Sequence, residues 1–248
     1  MMSRLKVAVV YLQYDTNKYA DSIPYVFGNL NKINSEKTYI IVDNKNCKKN
    51  TEIFENVHLV GGDNTNWEFS GWQKGLNYVK KNINCDVVLF LNDSLRSYWR
   101  PLLEEKELDR MMLFCLNKNS LCGKIDSVDE SIDLSFLGHN VNSWICSNAF
   151  FGSIDVFNKI NIDNTALFNI DNIVINIEKF LDCSDLSLAL RRHIYFWLSK
   201  SWHSKFNPEE NVKLFKNKTK AILNEKLLTA KAKQKGVRIQ NSVDFRYE

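Results

Sequence analysis

The chain has 248 residues, of which 44% are hydrophobic and 25% charged, and its formal net charge is +4. This length fits one sizeable domain with an ordinary globular core, and the composition excludes a disordered or fibrous protein. We find no leader-like series before the first apolar run and no apolar stretch of roughly 18 residues that would cross a bilayer. The sequence therefore predicts a cytoplasmic protein.

The first hundred residues alternate between strand and helix patterns. Apolar runs rich in β-branched residues predict strands buried on both faces. The run from Leu5 to Asp15 turns polar at Gln13, and "KTYIIVDN", "NVHLVGG" and "VVLFLN" follow along the chain. Helical spacing lies between them, with Ser22 and Ser70 as the expected N-caps. The order predicts right-handed parallel crossovers and a doubly wound, nucleotide-binding half.

The second half of the chain is less regular. "PLLEEKELDRMM" predicts a helix, "MLFCLN" a strand, and "NSWICSNAFFGSIDVFNKI" strands that break at Gly152. A long helix is expected from Leu181 through Phe206, and eight lysines follow between Lys213 and Lys235, with Glu225 as the only acid among them. The six cysteines show no close metal-ligand pairing, and several lie in apolar stretches, so we expect reduced thiols.

Polar side chains follow the predicted strands where each strand ends. Ligands of open α/β sheets bind beyond the carboxyl ends of the strands, so these residues are candidates for a binding site. An acid after the second strand can accept hydrogen bonds from a ribose or base, and one after the fourth can hold a divalent metal against a diphosphate. The alternative is turn and cap chemistry. The residues are Gln13, Asp15, Asp43, Asn44, Asp63, Asn64 and Asp93.

The segments "VAVVYLQYD", "YIIVDN", "GGDNTNWEFSGWQKGL" and "VVLFLNDS" resemble the nucleotide-binding half of GT-A glycosyltransferases, especially family 2 and rhamnan-synthesis enzymes. The resemblance implies an α/β fold with a mixed, mostly parallel, Rossmann-like central sheet flanked by helices. It also implies Mn²⁺ or Mg²⁺, although "NDS" matches the D-x-D metal motif with one carboxylate only. The implied nucleotide-sugar site comprises Tyr11, Gln13, Asp43, Asn64, Ser70, Gly71, Lys74, Asn92, Asp93 and Ser94.

Two further motifs extend the resemblance into the second half. "LDCSDLSLALRR" is similar to the family's helix start that carries the general base, which places Asp182 on the base position with Glu178 as its rival. The alternative is that Asp182 or Ser184 only caps a helix. His203 resembles the late histidine that joins the metal site, here with Asp93, and its alternative is packing. Five tryptophans are candidates for a sugar platform or for the core: Trp67, Trp72, Trp144, Trp197 and Trp202.

Together these features predict a GT-A domain over 1–205, with a nucleotide-binding half (1–100) and an acceptor half (101–205), and a basic helical extension over 206–248. The expected activity is transfer of a sugar from a nucleotide diphosphate-sugar to a glycan hydroxyl in polysaccharide or lipopolysaccharide synthesis. The alternatives are a sugar nucleotidyltransferase and a non-catalytic glycan-binding module.

The basic residues 213–238 have two interpretations. Apolar residues among the lysines suit contact with the inner face of an anionic membrane, where lipid-linked glycan acceptors reside. They equally suit a solvated helix packed on the domain by its apolar face. Nucleic acid is not an expected partner, because no recognition motif accompanies the charge.

Overall fold

The computed structural model describes residues 4–45, 51–95, 108–201 and 205–242, without the side chains of residues 51 and 52. One eight-stranded sheet runs through it in the order β10-β6-β9-β5-β1-β2-β4-β3. Its parallel centre consists of β1 (Lys6–Gln13), β2 (Glu36–Asp43), β4 (Val57–Gly61) and β5 (Val87–Asn92). The remaining strands are β3 (Thr51–Phe54), β6 (Ser120–Ser127), β9 (Ser143–Ser153) and β10 (Arg238–Asn241), while β7 (Ser135–Phe136) and β8 (His139–Asn140) form a separate pair.

The strand directions confirm the predicted fold class. β9 runs antiparallel to β5 and β6, β3 runs antiparallel to β4, and the other neighbours in the sheet are parallel. β2 and β5 lie on opposite sides of β1, so the chain reverses its direction of progress across the sheet at β1. The carboxyl ends of β1 and β5 therefore meet at a topological switch point, where α/β proteins place their ligands.

Helices cover both faces of the sheet. They are α1 (Ser22–Leu30), α2 (Glu68–Asn82), α3 (Leu108–Lys118), α4 (Ile154–Lys159), α5 (Ile170–Ile173), α6 (Ile177–Asp182), α7 (Leu188–Phe196) and α8 (Val212–Gln234), with a 3₁₀ turn at Thr165–Leu167 and a π turn at Trp197–Ser201. Within the described ranges, no helix is long and apolar enough to span a membrane.

Successive side chains of β1 point to opposite faces of the sheet, so they contribute to two separate layers of the core. Val7, Val9 and Tyr11 face one layer, which includes residues of α1 and α3. Ala8 and Val10 face the other layer, which includes residues of α2 and α8. Both layers are buried, which explains why the central strands read as continuous apolar runs.

The basic segment is part of this core. Leu223 and Leu227 of α8 are fully buried in a third cluster with Phe180, Leu190 and Ile194 of α6 and α7. The helix also packs on β9, and β10 behind it pairs in parallel with β6. Of the two interpretations of the basic segment, packing by the apolar face is the one the structure supports, and that face is therefore not available to a membrane.

Several local predictions were wrong. "MLFCLN" belongs to α3 and not to a strand, because burial follows a helical spacing at Leu108, Met111, Met112 and Cys115. Cys115 and Cys122 form a disulfide, since the turn from α3 into β6 brings their Cα atoms within 6.8 Å. The expectation of reduced cysteines fails for this pair, while Cys85, Cys146 and Cys183 are free.

Helix boundaries also differ from the prediction. α2 begins at Glu68, so Ser70 lies inside its first turn, and Ser22 is the first residue of α1 and not its cap. The long helix expected from Leu181 is divided, because α6 ends at Asp182 and α7 begins at Leu188. Edge strand β3 is not among the predicted strands.

Candidate active site

Asp93 links the two central strands where they end. Leu12 of β1 is paired with Asn92 of β5, and the Asp93 amide donates to the Leu12 carbonyl at 3.0 Å. Asp93 Oδ2 accepts from the amides of Tyr14 and Asp15 at 2.7 and 2.8 Å. Burial raises the pKa of Asp93, although these two hydrogen bonds oppose the shift. The acid predicted at the strand end therefore fixes the loop after β1.

Asn44, at the end of β2, likewise fixes a loop through hydrogen bonds of its side chain. Its Nδ2 donates to Asn64 Oδ1 at 3.0 Å and to the Trp67 carbonyl at 2.8 Å, while its Oδ1 accepts from the Asn64 amide at 3.1 Å. Both Asn64 and Trp67 have positive φ, at 51° and 55°. Asn44 thus holds a strained connection between β4 and α2 in place.

Gly71 allows α2 to approach these strands closely. A Cβ atom at this position would lie 2.4 Å from Leu12 Cδ1 and 2.8 Å from Asn44 Oδ1. A side chain would displace the helix start, and with it Trp67 and Glu68. The close contact at Gly71 is therefore with the protein's own strand ends.

A cavity of about 640 Å³ opens at these strand ends. One end of it is bounded by the loop after β1, by Asn44 and Asn64, and by Asn92, Asp93 and Ser94. The other end is bounded by β9, α7 and α8. Three of the tryptophans predicted for a sugar platform line it, namely Trp67, Trp144 and Trp197. Trp72 is fully buried in the core, and Trp202 lies outside the described residues.

One face of α8 forms a wall of the cavity. The wall residues are Leu214, Lys218, Ala221, Ile222, Glu225 and Lys226, at the three- and four-residue spacing of a helix face. Each lysine lies on an indole, Lys218 Nζ 3.8 Å from the centroid of the Trp67 ring and Lys226 Nζ 2.9 Å from that of Trp144. Such cation–π contacts hold an ammonium group where it is partly desolvated.

A polar cluster surrounds Glu225. Its Oε1 accepts from the Ser147 amide at 2.5 Å, and the Ser147 hydroxyl donates to Glu68 Oε1 at 3.2 Å. Burial raises the pKa of Glu225 to about 7 and lowers that of Lys226 to about 7. Burial, with the charge of Lys226, also lowers the pKa of His193 to about 4.

Two buried polar atoms of cavity-lining residues have no hydrogen-bond partner among the described residues. They are Lys226 Nζ, whose residue is 1% exposed, and Asn148 Oδ1. One is a donor and the other an acceptor. Unsatisfied buried polar groups are costly, so both atoms are candidates for hydrogen bonds to a ligand or to water.

The structure brings together only part of the predicted nucleotide-sugar site. Asn64, Asn92, Asp93 and Ser94 line the cavity. Tyr11 is buried in the core, where desolvation raises its pKa, and Lys74 Nζ forms an ion pair with Asp63 at 2.7 Å. Asp43 and Ser70 are buried behind the cavity wall, and Gly71 packs on Leu12. Gln13 ends β1, half-buried and outside the lining.

Neither residue predicted as general base lines the cavity. Asp182 and Glu178 are exposed on α6. The alternative role of Asp182 or Ser184 as a helix cap was also wrong, because Ser187 Oγ caps α7 by accepting from the Leu190 amide at 3.3 Å. One feature of the sequence could have indicated Glu225, because it is the only acid among the lysines of the basic segment.

The described residues do not fit a metal held by the protein. Asp93 is the only carboxylate at the end of β5, and one of its oxygens already accepts two amides. Its neighbour Asn92 accepts from the Ser94 hydroxyl through Oδ1 at 2.8 Å. No group of three potential ligands from His, Cys, Asp and Glu occurs in the described ranges. His203, the second predicted metal ligand, lies outside them.

Solved structures resemble most of this chain at low TM-scores. The chain is similar to TarS 1–349 of S. aureus, with a TM-score of 0.42 and 14% identity over 94% of this chain and 92% of that one. It is also similar to the glycosyltransferase GlyE of Streptococcus pneumoniae, with a TM-score of 0.31 and 14% identity over 84% of this chain and 47% of GlyE. No protein-family model matches the chain, and no curated protein sequence matches it significantly.

Proposed function

We propose that the protein is a glycosyltransferase that moves a sugar from a nucleotide diphosphate-sugar to a hydroxyl of a glycan acceptor. The observation that carries the proposal is the position of the cavity at the carboxyl ends of β1, β2 and β5, beside the switch point of the sheet. This is where α/β folds bind nucleotides. The cavity also combines aromatic walls with amides and carboxylates, a set of groups that suits sugar hydroxyls.

In this proposal, the nucleotide lies over the strand ends lined by Asn64, Asn92 and Asp93. Lys18 and Lys218 also line the cavity, and their positive charges suit the negative charge of a diphosphate. Burial lowers the pKa of Lys218, and an anionic ligand would oppose that shift by favouring the ammonium form. We route no step through a metal, because the donor set does not fit one.

A second candidate is a glycan-binding module without transfer activity. The observation in its favour is the single carboxylate at the end of β5, whereas three tryptophans line the same cavity. Indole rings bind sugars without any need for catalytic groups. This candidate predicts binding of free glycans and no turnover of a nucleotide-sugar.

The proposed donor site is testable by thermal shift with UDP-, GDP- and dTDP-linked sugars, each with and without Mn²⁺, and with a CMP-linked sugar as the monophosphate control. At a ligand concentration of about 100 Kd the expected stabilisation is about 2.7 kcal/mol, or about 5–10 °C for a chain of this size. We expect one nucleotide class to reach this shift.

Lys218→Met should lose most of the shift, because it removes the charge that balances the diphosphate. Lys213→Met is the matched control, since Lys213 is exposed at the start of the same helix and lies outside the cavity lining. No shift of the wild type with any donor would overturn the proposal, and equal shifts in both variants would remove Lys218 from it.

A further inference from the structure

We propose that Glu225 is the residue that removes the proton from the acceptor hydroxyl, and that the acceptor sugar binds beside it against Lys226 and Asn148. This inference rests on the proposed function and deepens it. It assigns the base to α8 and not to α6, where the sequence had placed it. Four features of the cavity support it.

The first feature is position. Glu225 lines the cavity on the same face of α8 as Lys218, which lies seven residues or two helical turns earlier. Two turns span about 11 Å along a helix axis, which separates a diphosphate at Lys218 from a carboxylate at Glu225 by roughly the length of a sugar ring and its substituents. The two groups that transfer requires, a site for the leaving diphosphate and a base, thus lie on one rigid element.

The second feature is orientation. Glu225 Oε1 accepts from the Ser147 amide at 2.5 Å, so the carboxylate is held against β9 in a fixed direction. Ser147 also holds Glu68 through its hydroxyl. A base must lie within hydrogen-bond reach of the proton that it takes, and a carboxylate fixed by a backbone amide satisfies the positional part of this requirement.

The third feature is the pair of polar atoms without partners. Lys226 Nζ needs an acceptor and Asn148 Oδ1 needs a donor. A hydroxyl group supplies both, whereas an anionic group supplies acceptors only. The carboxylates of Glu225 and Asp126 also line the cavity beside Lys226, which disfavours an anion there. The chemical class of acceptor that fits is therefore an uncharged sugar with several hydroxyl groups.

The fourth feature is the protonation state. Burial raises the pKa of Glu225 to about 7, which suits a base that works near neutral pH. Titratable and charged groups face Glu225 or its neighbour Lys226 from every element packed around them. They are Lys226 on α8, Glu68 on α2, Asp126 and Lys124 on β6, Cys146 on β9 and His193 on α7.

The chemical step is a direct displacement. The acceptor hydroxyl gives its proton to the Glu225 carboxylate, and its oxygen forms a bond to the anomeric carbon of the donor sugar. The bond from that carbon to the diphosphate oxygen breaks, and its electron pair leaves with the nucleoside diphosphate. The product sugar then has the opposite anomeric configuration to the donor.

The test compares the 248-residue wild type with Glu225→Gln, Glu225→Asp, Asp182→Asn and Glu210→Gln. The glutamine at 225 keeps the size of the side chain and an oxygen for the Ser147 amide. Glu210 is an exposed carboxylate that accepts from Asn207 Nδ2 at 2.9 Å and lies outside the cavity lining, so Glu210→Gln is the matched control. The readouts are the donor-induced thermal shift, release of nucleoside diphosphate with methyl hexosides or water as acceptor, and the anomeric configuration of the product.

We expect Glu225→Gln to lose at least about 100-fold in turnover, the contribution of a positioned base, while its donor-induced shift equals that of the wild type. The wild-type rate should rise with pH to a plateau above about pH 7, since the base works as the carboxylate, and Glu225→Gln should lose this rise. Glu225→Asp should retain part of the activity, and Glu210→Gln should match the wild type.

Turnover of Glu225→Gln near that of the wild type would overturn the inference and leave the proposed function intact, as would a product of retained configuration. A large loss in Asp182→Asn with full activity in Glu225→Gln would return the base to α6. Absence of donor binding to the wild type, or donor binding without any turnover, would overturn the proposed transfer itself and the role of Glu225 with it.

Discussion

Lys226 is the residue whose environment departs most from that of an ordinary lysine. Its side chain is 1% exposed, its ammonium lies on the Trp144 ring, and Nζ has no hydrogen-bond acceptor among the described residues. Such a group costs stability in the unliganded protein, because the charged form is desolvated without full compensation. Retention of a costly group in a cavity wall is consistent with a role in binding.

The desolvation of the Lys226 ammonium predicts that the stability of the protein depends on pH. The pKa of Lys226 falls from its usual 10.5 to about 7 on folding, so between these values the unfolded chain binds more protons than the folded one. The contribution of Lys226 to the free energy of unfolding therefore rises with pH between about 7 and 10.5. Below about pH 7 the destabilisation by the buried ammonium group is fully present. In Lys226→Met this rise should be absent, as measured by urea unfolding across that range.

Lys220→Met is the control for this prediction, because Lys220 is only half-buried on the same helix and lies outside the cavity lining. It should keep the pH dependence of the wild type. An unchanged dependence in Lys226→Met would show that the lysine is as well solvated in the folded protein as in the unfolded chain.

Sequence reasoning identified one end of the cavity, and at the other end it predicted tryptophans such as Trp144 but not Glu225 or Lys226. Asn92, Asp93 and Ser94 follow an apolar run, and the end of a buried parallel strand is a place that sequence indicates directly. Glu225 and Lys226 lie in a helix whose lysines resemble a solvated face. Their burial depends on how α8 packs against β9, which is a long-range contact without a local pattern.

At the scale of elements, α8 is attached to the sheet domain by an asparagine. Asn224 is fully buried, its Oδ1 accepts from the Asn164 amide at 2.6 Å, and its Nδ2 donates to the Ile162 carbonyl at 3.0 Å. These bonds join the helix to the loop after α4. Because Lys218, Glu225 and Lys226 depend on the position of α8, Asn224 also positions the cavity wall.

Asn224→Ala should lower the free energy of unfolding by about 2–4 kcal/mol, because the buried Asn164 amide loses its partner and the Ile162 carbonyl keeps only the bond from Asn164 Nδ2 at 3.4 Å. Asn217→Ala, two turns earlier on the same helix and only half-buried, should cost well under 1 kcal/mol. Urea unfolding of both variants tests this, and equal losses would mean that the two hydrogen bonds contribute no more than helix propensity does.

The elements that were predicted wrongly have a common physical cause. "MLFCLN" contains an apolar run that suits a strand, but only one side of α3 is buried, and Leu113 and Leu116 are 47% and 36% exposed. Short apolar runs do not distinguish a strand from a helix, since burial is decided by the neighbours in space. The central strands were predicted well because both of their faces are covered, so every residue had to be apolar.

At the scale of the whole molecule, residues 206–242 form part of the core and of the sheet of the preceding chain. α8 fills the groove between β9 and the α6–α7 pair, and β10 covers the edge of β6. A chain that ends at residue 205 would expose both apolar surfaces and one sheet edge. The sequence suggested an appended helix because its charge is unlike that of the preceding residues, whereas its apolar positions complete the core.

We therefore expect residues 1–205 alone to lack a cooperative unfolding transition, measured by calorimetry and by near-ultraviolet circular dichroism against the full chain. The aromatic signal should be lost with the transition, because Phe180 and Trp144 lose their partners Phe215 and Lys226 on α8. A cooperative transition within a few degrees of that of the full chain would identify the basic segment as a dispensable appendage.

The cavity wall formed by α8 also has a consequence for biosynthesis. α8 follows every other wall of the cavity in the chain, so a ribosome makes it later than β1, β5 and β9. The sheet centre is able to form during translation, since amino-terminal segments fold first at synthesis rates of about 5–20 residues per second. The cavity is completed only when α8 leaves the ribosomal tunnel, so a nascent chain without α8 lacks one wall of the ligand site.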